Sequence, residues 1–240
     1  VYKFIRTFTH NNFTMQKSIP ASVFSFLEEL KENNNREWFN GNKERYQERH
    51  GLVVQFADEL LAKMKQVDNI ETASGKKSIF RIHKDVRFSK DKSPYKTNIG
   101  VWFTQNKLAK NSPGYYIHFE KGKSFIAGGV WCPEPNELKR IRKEIAFFYD
   151  DLEAIVNDKK FKLEFGALTR DENNTLKKAP KDFEPNHPAI EFLKLKSFTA
   201  SEKIDDKLFL DSNFSKIIAE KLIVLKPMND FLNRALETEE

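Results

Sequence analysis

Eight lysine or arginine residues lie between Lys76 and Lys96 against two acidic ones, Asp85 and Asp91, and the rest of the chain holds 33 basic and 33 acidic residues. The net charge of +6 is therefore concentrated in one segment, and the simplest thing such a concentration attracts is an anion. Within it, Phe80-Arg81-Ile82-His83-Lys84-Asp85-Val86-Arg87-Phe88 alternates in character. On a strand, Arg81, His83, Asp85 and Arg87 share one face and Phe80, Ile82, Val86 and Phe88 the other, with Lys84 the exception. Arginine forks pair bidentately with phosphate or carboxylate, and a histidine among them is placed for proton transfer. Asp85, between two arginines, is ionised and suits orientation better than acid catalysis. The same four groups would equally make a solvated strand face. In the following loop, Ser89 to Lys96, short hydroxyl and carboxylate side chains bind backbone while Lys90, Lys92 and Lys96 project, a shape that can close over an anion. Neither a Walker A spacing nor a G-x-G-x-x-G pattern is present, so anion binding would rest on basic side chains.

A second group comes from residues 114–121, where a strand sets Tyr116, His118 and Glu120 on one face. In the next run, Ala127-Gly128-Gly129 marks a bulge or a close approach of backbone or ligand. His83, Asp85 and His118 are the candidate catalytic residues, and Arg81, Arg87, Lys92, Tyr95, Lys96 and Tyr116 the candidate ligand-binding residues. His83, His118 and Asp85 would also make a two-histidine, one-carboxylate metal set, but no spacing such as H-E-x-x-H ties them together, and no metal or cofactor is assigned. His187, in Asn186-His187-Pro188, reads as a turn residue. Cys132, the one cysteine, reads as a small packed residue with no neighbour to activate it.

The elements that must position these groups follow from periodicity. Val23, Phe24, Leu27 and Leu30 predict a helix over residues 20–31, and Val53, Phe56, Ala57, Leu60, Leu61 and Met64 predict a second. From 79 to 131 the period changes to two, with strand-like runs at 79–88, 97–104, 114–121 and 124–131. Leu138, Ile141, Ile145, Phe148, Leu152 and Ile155 predict one further helix opened by Pro135. Residues 158–200, rich in Lys, Asn and Pro, read as an arm over the sheet, and 213–236 as a helix kinked at Pro227. The expectation is an α+β fold, an antiparallel sheet over about residues 79–131 packed by N-terminal, central and C-terminal helices, because strands clustered between helices do not make βαβ units. Residues 15–240 read as a single domain and residues 1–14 as an extension, since Met15 opens the run leading into Ile19 and Pro20.

Phe80-Arg81 through Tyr95-Lys96, followed by Gly114-Tyr115-Tyr116-Ile117-His118 and Ala127-Gly128-Gly129-Val130-Trp131, resembles the bacterial family catalogued as domain of unknown function 2461. The resemblance runs from about Ile19 to Leu236. The Arg-x-His-x-Asp-x-Arg-Phe strand joined to a Lys-Ser-Pro-Tyr-Lys loop is the specific part. It implies a shared fold and a shared site at these positions, and names no reaction.

The chain as a whole narrows the classes of function. Hydrophobic residues at 39% and 22 phenylalanines spread from end to end predict folding throughout. No apolar run reaches the ~18 residues of a membrane span, and the start lacks a secretory signal. With a single cysteine, this points to a cytoplasmic, reducing compartment without a membrane partner. The leading reading is a pocket for an anionic small molecule or phosphorylated substrate, with enzymatic activity left open. A nucleic-acid-binding role is the alternative, supported by a sequence pI near 9.1 and aromatics interleaved with the basic stretch. A structural ion-pair network or protein contact surface is the third.

Overall fold

The structure is a computed structural model that describes residues 18–105 and 112–237; the expected extension at 1–14 lies outside them. Three helices open the chain: α1 (Ala21–Glu32), α2 (Arg36–Gly41) and α3 (Lys43–Met64). Asn35 starts α2 by accepting a hydrogen bond from the Trp38 N–H at 2.9 Å, the usual asparagine cap for an otherwise unpaired donor. A single turn, α4 (Gly75–Ser78), precedes an irregular segment and then the antiparallel strands β1 (Ile99–Thr104), β2 (Gly114–Phe119) and β3 (Phe125–Val130). Helices α5 (Pro135–Phe147), α6 (Tyr149–Asn157), α7 (Lys159–Phe165) and α8 (Ile190–Leu193) follow. The chain then returns as β4 (Phe198–Lys203) and ends in α9 (Phe214–Leu222) and α10 (Lys226–Glu237).

The four strands pair antiparallel in the order β1-β2-β3-β4. This is the expected α+β class, with two differences in the sheet. The run 79–88 is no ladder strand. It makes only the isolated bridges Ile79↔Val101 and His83↔Tyr95. The cause is local competition: Asp91 takes the Ser93 N–H and hydroxyl at 2.9 and 2.8 Å, and Pro94 has no N–H to give, so pairing stops after a few bonds. The fourth strand comes instead from Phe198–Lys203, at the end of the expected arm. The expected single helix over 138–155 is two, broken at Phe148 (φ −122°, ψ 43°) with Asp150 and Asp151 in the first turn of α6, where acidic side chains favour a new helix start. Pro227 stands near the start of α10, after a 3-10 turn (Ile223–Leu225), a position that proline tolerates.

One face of the sheet carries the core. Val101, Phe103, Tyr115, Ile117, Phe119, Ile126 and Phe198 are buried there against α1, α3, α9 and α10. Phenylalanines weld the layers: Phe56 of α3 stacks on Phe214 of α9 at 5.1 Å and meets Phe119 of β2 edge-on at 5.8 Å.

Gly129 has φ +107°, and a Cβ there would lie 2.0 Å from the Phe198 carbonyl oxygen of the paired strand. Gly129→Ala is therefore expected to cost more than about 2 kcal/mol in urea unfolding. Gly51, inside α3 with nothing within 4 Å of its missing Cβ, is the control: Gly51→Ala should gain about 0.5–1 kcal/mol. Equal effects at the two sites would contradict the β3–β4 register.

Candidate functional site

Alternation along β2 turns Tyr115, Ile117 and Phe119 into the core, and Tyr116 and His118 onto the opposite face with Glu120 just beyond. Across the ladder, His118 sits between Gly100 of β1 and Phe125 of β3, and Tyr116 between Trp102 and Ala127. The Phe125 ring lies flat against His118, with centroids 4.8 Å apart and planes at 16°. Both ring nitrogens are engaged: Nδ1 is 3.0 Å from the Tyr116 hydroxyl and Nε2 is 3.2 Å from Glu120 Oε2. Burial pushes the Glu120 carboxyl up, but its contacts with His118 and Lys123 outweigh this and hold it below the ordinary glutamate value. Burial pushes the Tyr116 hydroxyl up to about 12. Glu120 also lines a cleft of about 420 Å³ against α1, with Phe24, Leu27, Glu28, Glu32 and Thr97.

The irregular segment 79–98 lies along this face. The Phe80 N–H donates to the Gly100 carbonyl at 2.9 Å, and its ring lies 6.1 Å from that of Tyr116. Gly100 makes the approach: a Cβ there would be 2.7 Å from the Tyr116 hydroxyl oxygen and 2.8 Å from the Phe80 ring. The Lys96 ammonium stands 5.5 Å from the Phe80 centroid, a cation over an aromatic face. Burial, reinforced by the Arg81 charge, holds Lys96 below the ordinary lysine value. Among the described residues neither Lys96 nor Arg81 makes a salt bridge; the Asp85 carboxylate feels the Arg81 charge but is paired with Arg87.

The sequence profile of the conserved hypothetical protein family DUF2461 matches residues 22–231. The chain belongs to the DUF2461 family. No curated protein and no solved structure is significantly similar to it.

The family assignment brings no residue roles, so geometry alone sorts the candidates. Lys96, Tyr116 and His118 gather on the open face, with Arg81 beside Lys96. Tyr95 is only 4% exposed and packs with Phe26, Leu30, Phe39 and Ile82 in a small second core. His83 is exposed, 5.1 Å from the Tyr95 ring and 6.4 Å from Phe39. Asp85 and Arg87 pair with each other on the surface, at 2.9 Å through Nε and 2.7 Å through an amino nitrogen. Lys92 donates to the Val86 carbonyl at 3.0 Å and closes the loop. No group of three or more His, Cys, Asp or Glu side chains among the described residues is arranged to hold a metal ion. Phe80, Gly100 and Phe125 join the site although the sequence pattern places Phe80 only on the apolar face of its run and gives Gly100 and Phe125 no role; Glu120 was legible as a face-mate of His118. His187 caps a turn, its Nδ1 accepting from the Ala189 N–H at 3.0 Å. Cys132 is exposed rather than packed, because the chain turns outward there with φ +49° while its N–H donates to Ser197 Oγ at 2.9 Å.

The Arg87 guanidinium holds the Asp85 carboxyl down at about 2. Arg87→Ala should return that carboxyl toward about 3.9, followed as its carbon chemical shift against pH. Because the folded-state value is depressed, the pair's contribution is present above the unfolded value and lost as pH falls toward 2. With both side chains exposed that contribution is small, so the neutral-pH unfolding midpoint should barely move. A large fall in the midpoint would make the pair a structural support.

Proposed function

We propose that the open face of the sheet binds a ligand bearing a phosphate, sulfate or carboxylate group, held by Lys96 and Arg81 beside Tyr116 and His118. The observation that carries this reading is a pair of neighbouring cations that make no salt bridge among the described residues, one of them partly buried against Phe80, while the Asp85 carboxylate that feels the Arg81 charge is itself paired with Arg87. Burying an ammonium beside a second positive charge costs stability, and an arriving anion removes that cost. Arg81 supplies the planar fork and Lys96 the point charge. His118, braced on three sides by Tyr116, Glu120 and Phe125, is the group nearest to proton transfer. The exposed loop at 84–93, where Asp85 and Arg87 pair and Lys92 closes on backbone, belongs to the approach and not to the floor.

The reading is tested by thermal unfolding with sulfate or phosphate against chloride at matched ionic strength. At roughly ten times Kd a ligand bound only by the native state adds about 1.4 kcal/mol and raises Tm by roughly 3–6 °C. Lys96→Met should remove this increment while leaving the anion-free protein equally or more stable, because a partly buried, repelled charge is gone. A sulfate increment unchanged in Lys96→Met would move the site elsewhere, and no increment from any anion would end the reading.

Phe88 favours a second reading, single-stranded nucleic acid. Its ring is 95% exposed at the tip of the basic loop, with the Arg87 guanidinium 5.8 Å from its centroid. An exposed ring among cations is a stacking platform for a base. Binding to a short labelled oligonucleotide should then be weak, with Kd of about 10⁻⁴ to 10⁻⁶ M at physiological salt, and should weaken steeply as salt rises. Anisotropy titrations of the parent and of Phe88→Ala decide it: identical curves for the two proteins would remove Phe88 from any such contact.

A further inference from the structure

The hydrogen bonds around His118 constrain where its protons sit. Glu120, kept ionised at neutral pH by His118 and Lys123 against the effect of burial, can only accept. Nε2, 3.2 Å from that carboxylate, therefore carries hydrogen, and in the neutral ring Nδ1 is the acceptor. Tyr116, whose hydroxyl stays protonated because burial raises it to about 12, donates to Nδ1 at 3.0 Å. In this state the tyrosine proton is committed to histidine, and Tyr116 offers an incoming anion only lone pairs.

We infer that anion capture on this face takes up one proton at His118 Nδ1, reversing the hydrogen bond to Tyr116 so that the tyrosine O–H turns outward and donates to the ligand. The inference rests on the anion-binding reading above. The proton balance is simple. One proton passes from solvent to Nδ1, the imidazolium then donates through Nδ1–H to the Tyr116 oxygen, and the Tyr116 proton changes acceptor without leaving its oxygen. The charge of the site rises by one as the anion arrives. Glu120 is a positioning residue: it fixes which nitrogen is free and balances the imidazolium once formed.

The groups facing His118 agree with this assignment. On its own strand these are Tyr116 and Glu120, the latter also 3.5 Å from Lys123 through its other oxygen. From β1 the neighbour is Gly100 and from β3 Phe125, neither titratable. From the segment along the face come Phe80 against Tyr116, Lys96 over Phe80, and Arg81 beside Lys96. Across the cleft beyond Glu120, α1 presents Glu28, Glu29, Glu32 and Lys31, with Lys121 at its edge.

Calorimetric titration of the full chain with sulfate, at pH 7 in buffers of different ionisation enthalpy, measures the proton count directly. Sulfate is chosen because it does not itself titrate near neutrality. The expected result is an uptake of up to one proton per sulfate and an affinity that strengthens from pH 8 to pH 6, by at most about tenfold per unit. His118→Gln, which keeps an amide donor toward Glu120 and cannot titrate, should bind sulfate with no proton uptake between these pH values. Uptake that persists in His118→Gln comes from a group other than His118 and overturns the inference. So does sulfate binding to the parent chain with no proton exchange, which would leave the anion site standing. Absence of sulfate binding would sink both. Should His118→Gln fail to fold, imidazole nitrogen shifts of the parent chain serve instead: sulfate must move His118 toward the doubly protonated form at constant pH, and an unmoved ring refutes the inference.

Discussion

Tyr115 and Tyr116 are consecutive in sequence and face opposite worlds, and the whole site depends on which of them is inside. Tyr115 donates its hydroxyl to Asp68 at 2.5 Å within the core side of the sheet. Burial, with the Asp68 charge beside it, pushes the Tyr115 hydroxyl far above its ordinary value. Asp68 also accepts from Gln105 at 2.6 Å and from the Asn69 N–H at 2.8 Å, and has the Lys226 ammonium at 3.4 Å. A buried carboxylate is tolerated only when so supplied, and removing one partner is costly. This contact therefore locks the register of β2. A slip by one residue would put Tyr116 and His118 into the core and expose Tyr115 and Ile117.

Much of this was legible in the sequence and some was not, for identifiable reasons. The alternation of Tyr116, His118 and Glu120 against Tyr115, Ile117 and Phe119 is a clean period of two, so the central strand and its polar face could be read directly. The same period in Phe80 to Phe88 misled. It describes a segment that runs along the sheet without joining it, because pattern records side-chain preference and Pro94 and Asp91 decide where the backbone bonds go. β4 was hidden for the opposite reason: Phe198 and Ala200 are its only fully buried residues, too few to stand out beside a lysine-rich arm. The break at Phe148 was invisible because apolar residues keep their spacing through it, while the local geometry changes.

Charge was more legible than shape. The basic excess in 76–96 is plain from composition, yet the structure gives five of its eight cations two different uses. Lys84, Arg87 and Lys92 are used up on Asp91, Asp85 and a backbone carbonyl, and they shape a loop. Lys96 and Arg81 make no salt bridge among the described residues, and Lys96 lies against Phe80 beside the sheet. No linear reading separates these groups, since Asp85 and Asp91 are equally close in sequence to several cations. The absence of a side chain mattered as much as any charge: Gly100 is the space in which Phe80 and the Tyr116 hydroxyl meet.

The sheet is also assembled from two unequal kinds of connection. β1, β2 and β3 form a meander of close neighbours in sequence, whereas β4 pairs with β3 only after the whole stretch from Trp131 to Ser197 has been looped back. Closing so long a loop carries an entropic cost that the meander does not share, and long-range pairing of this kind slows folding. Until it is met, β3 presents an unpaired row of backbone donors and acceptors, the template on which another chain can add a strand. During synthesis the meander emerges well before β4, so until then the edge of β3 is open to mispairing.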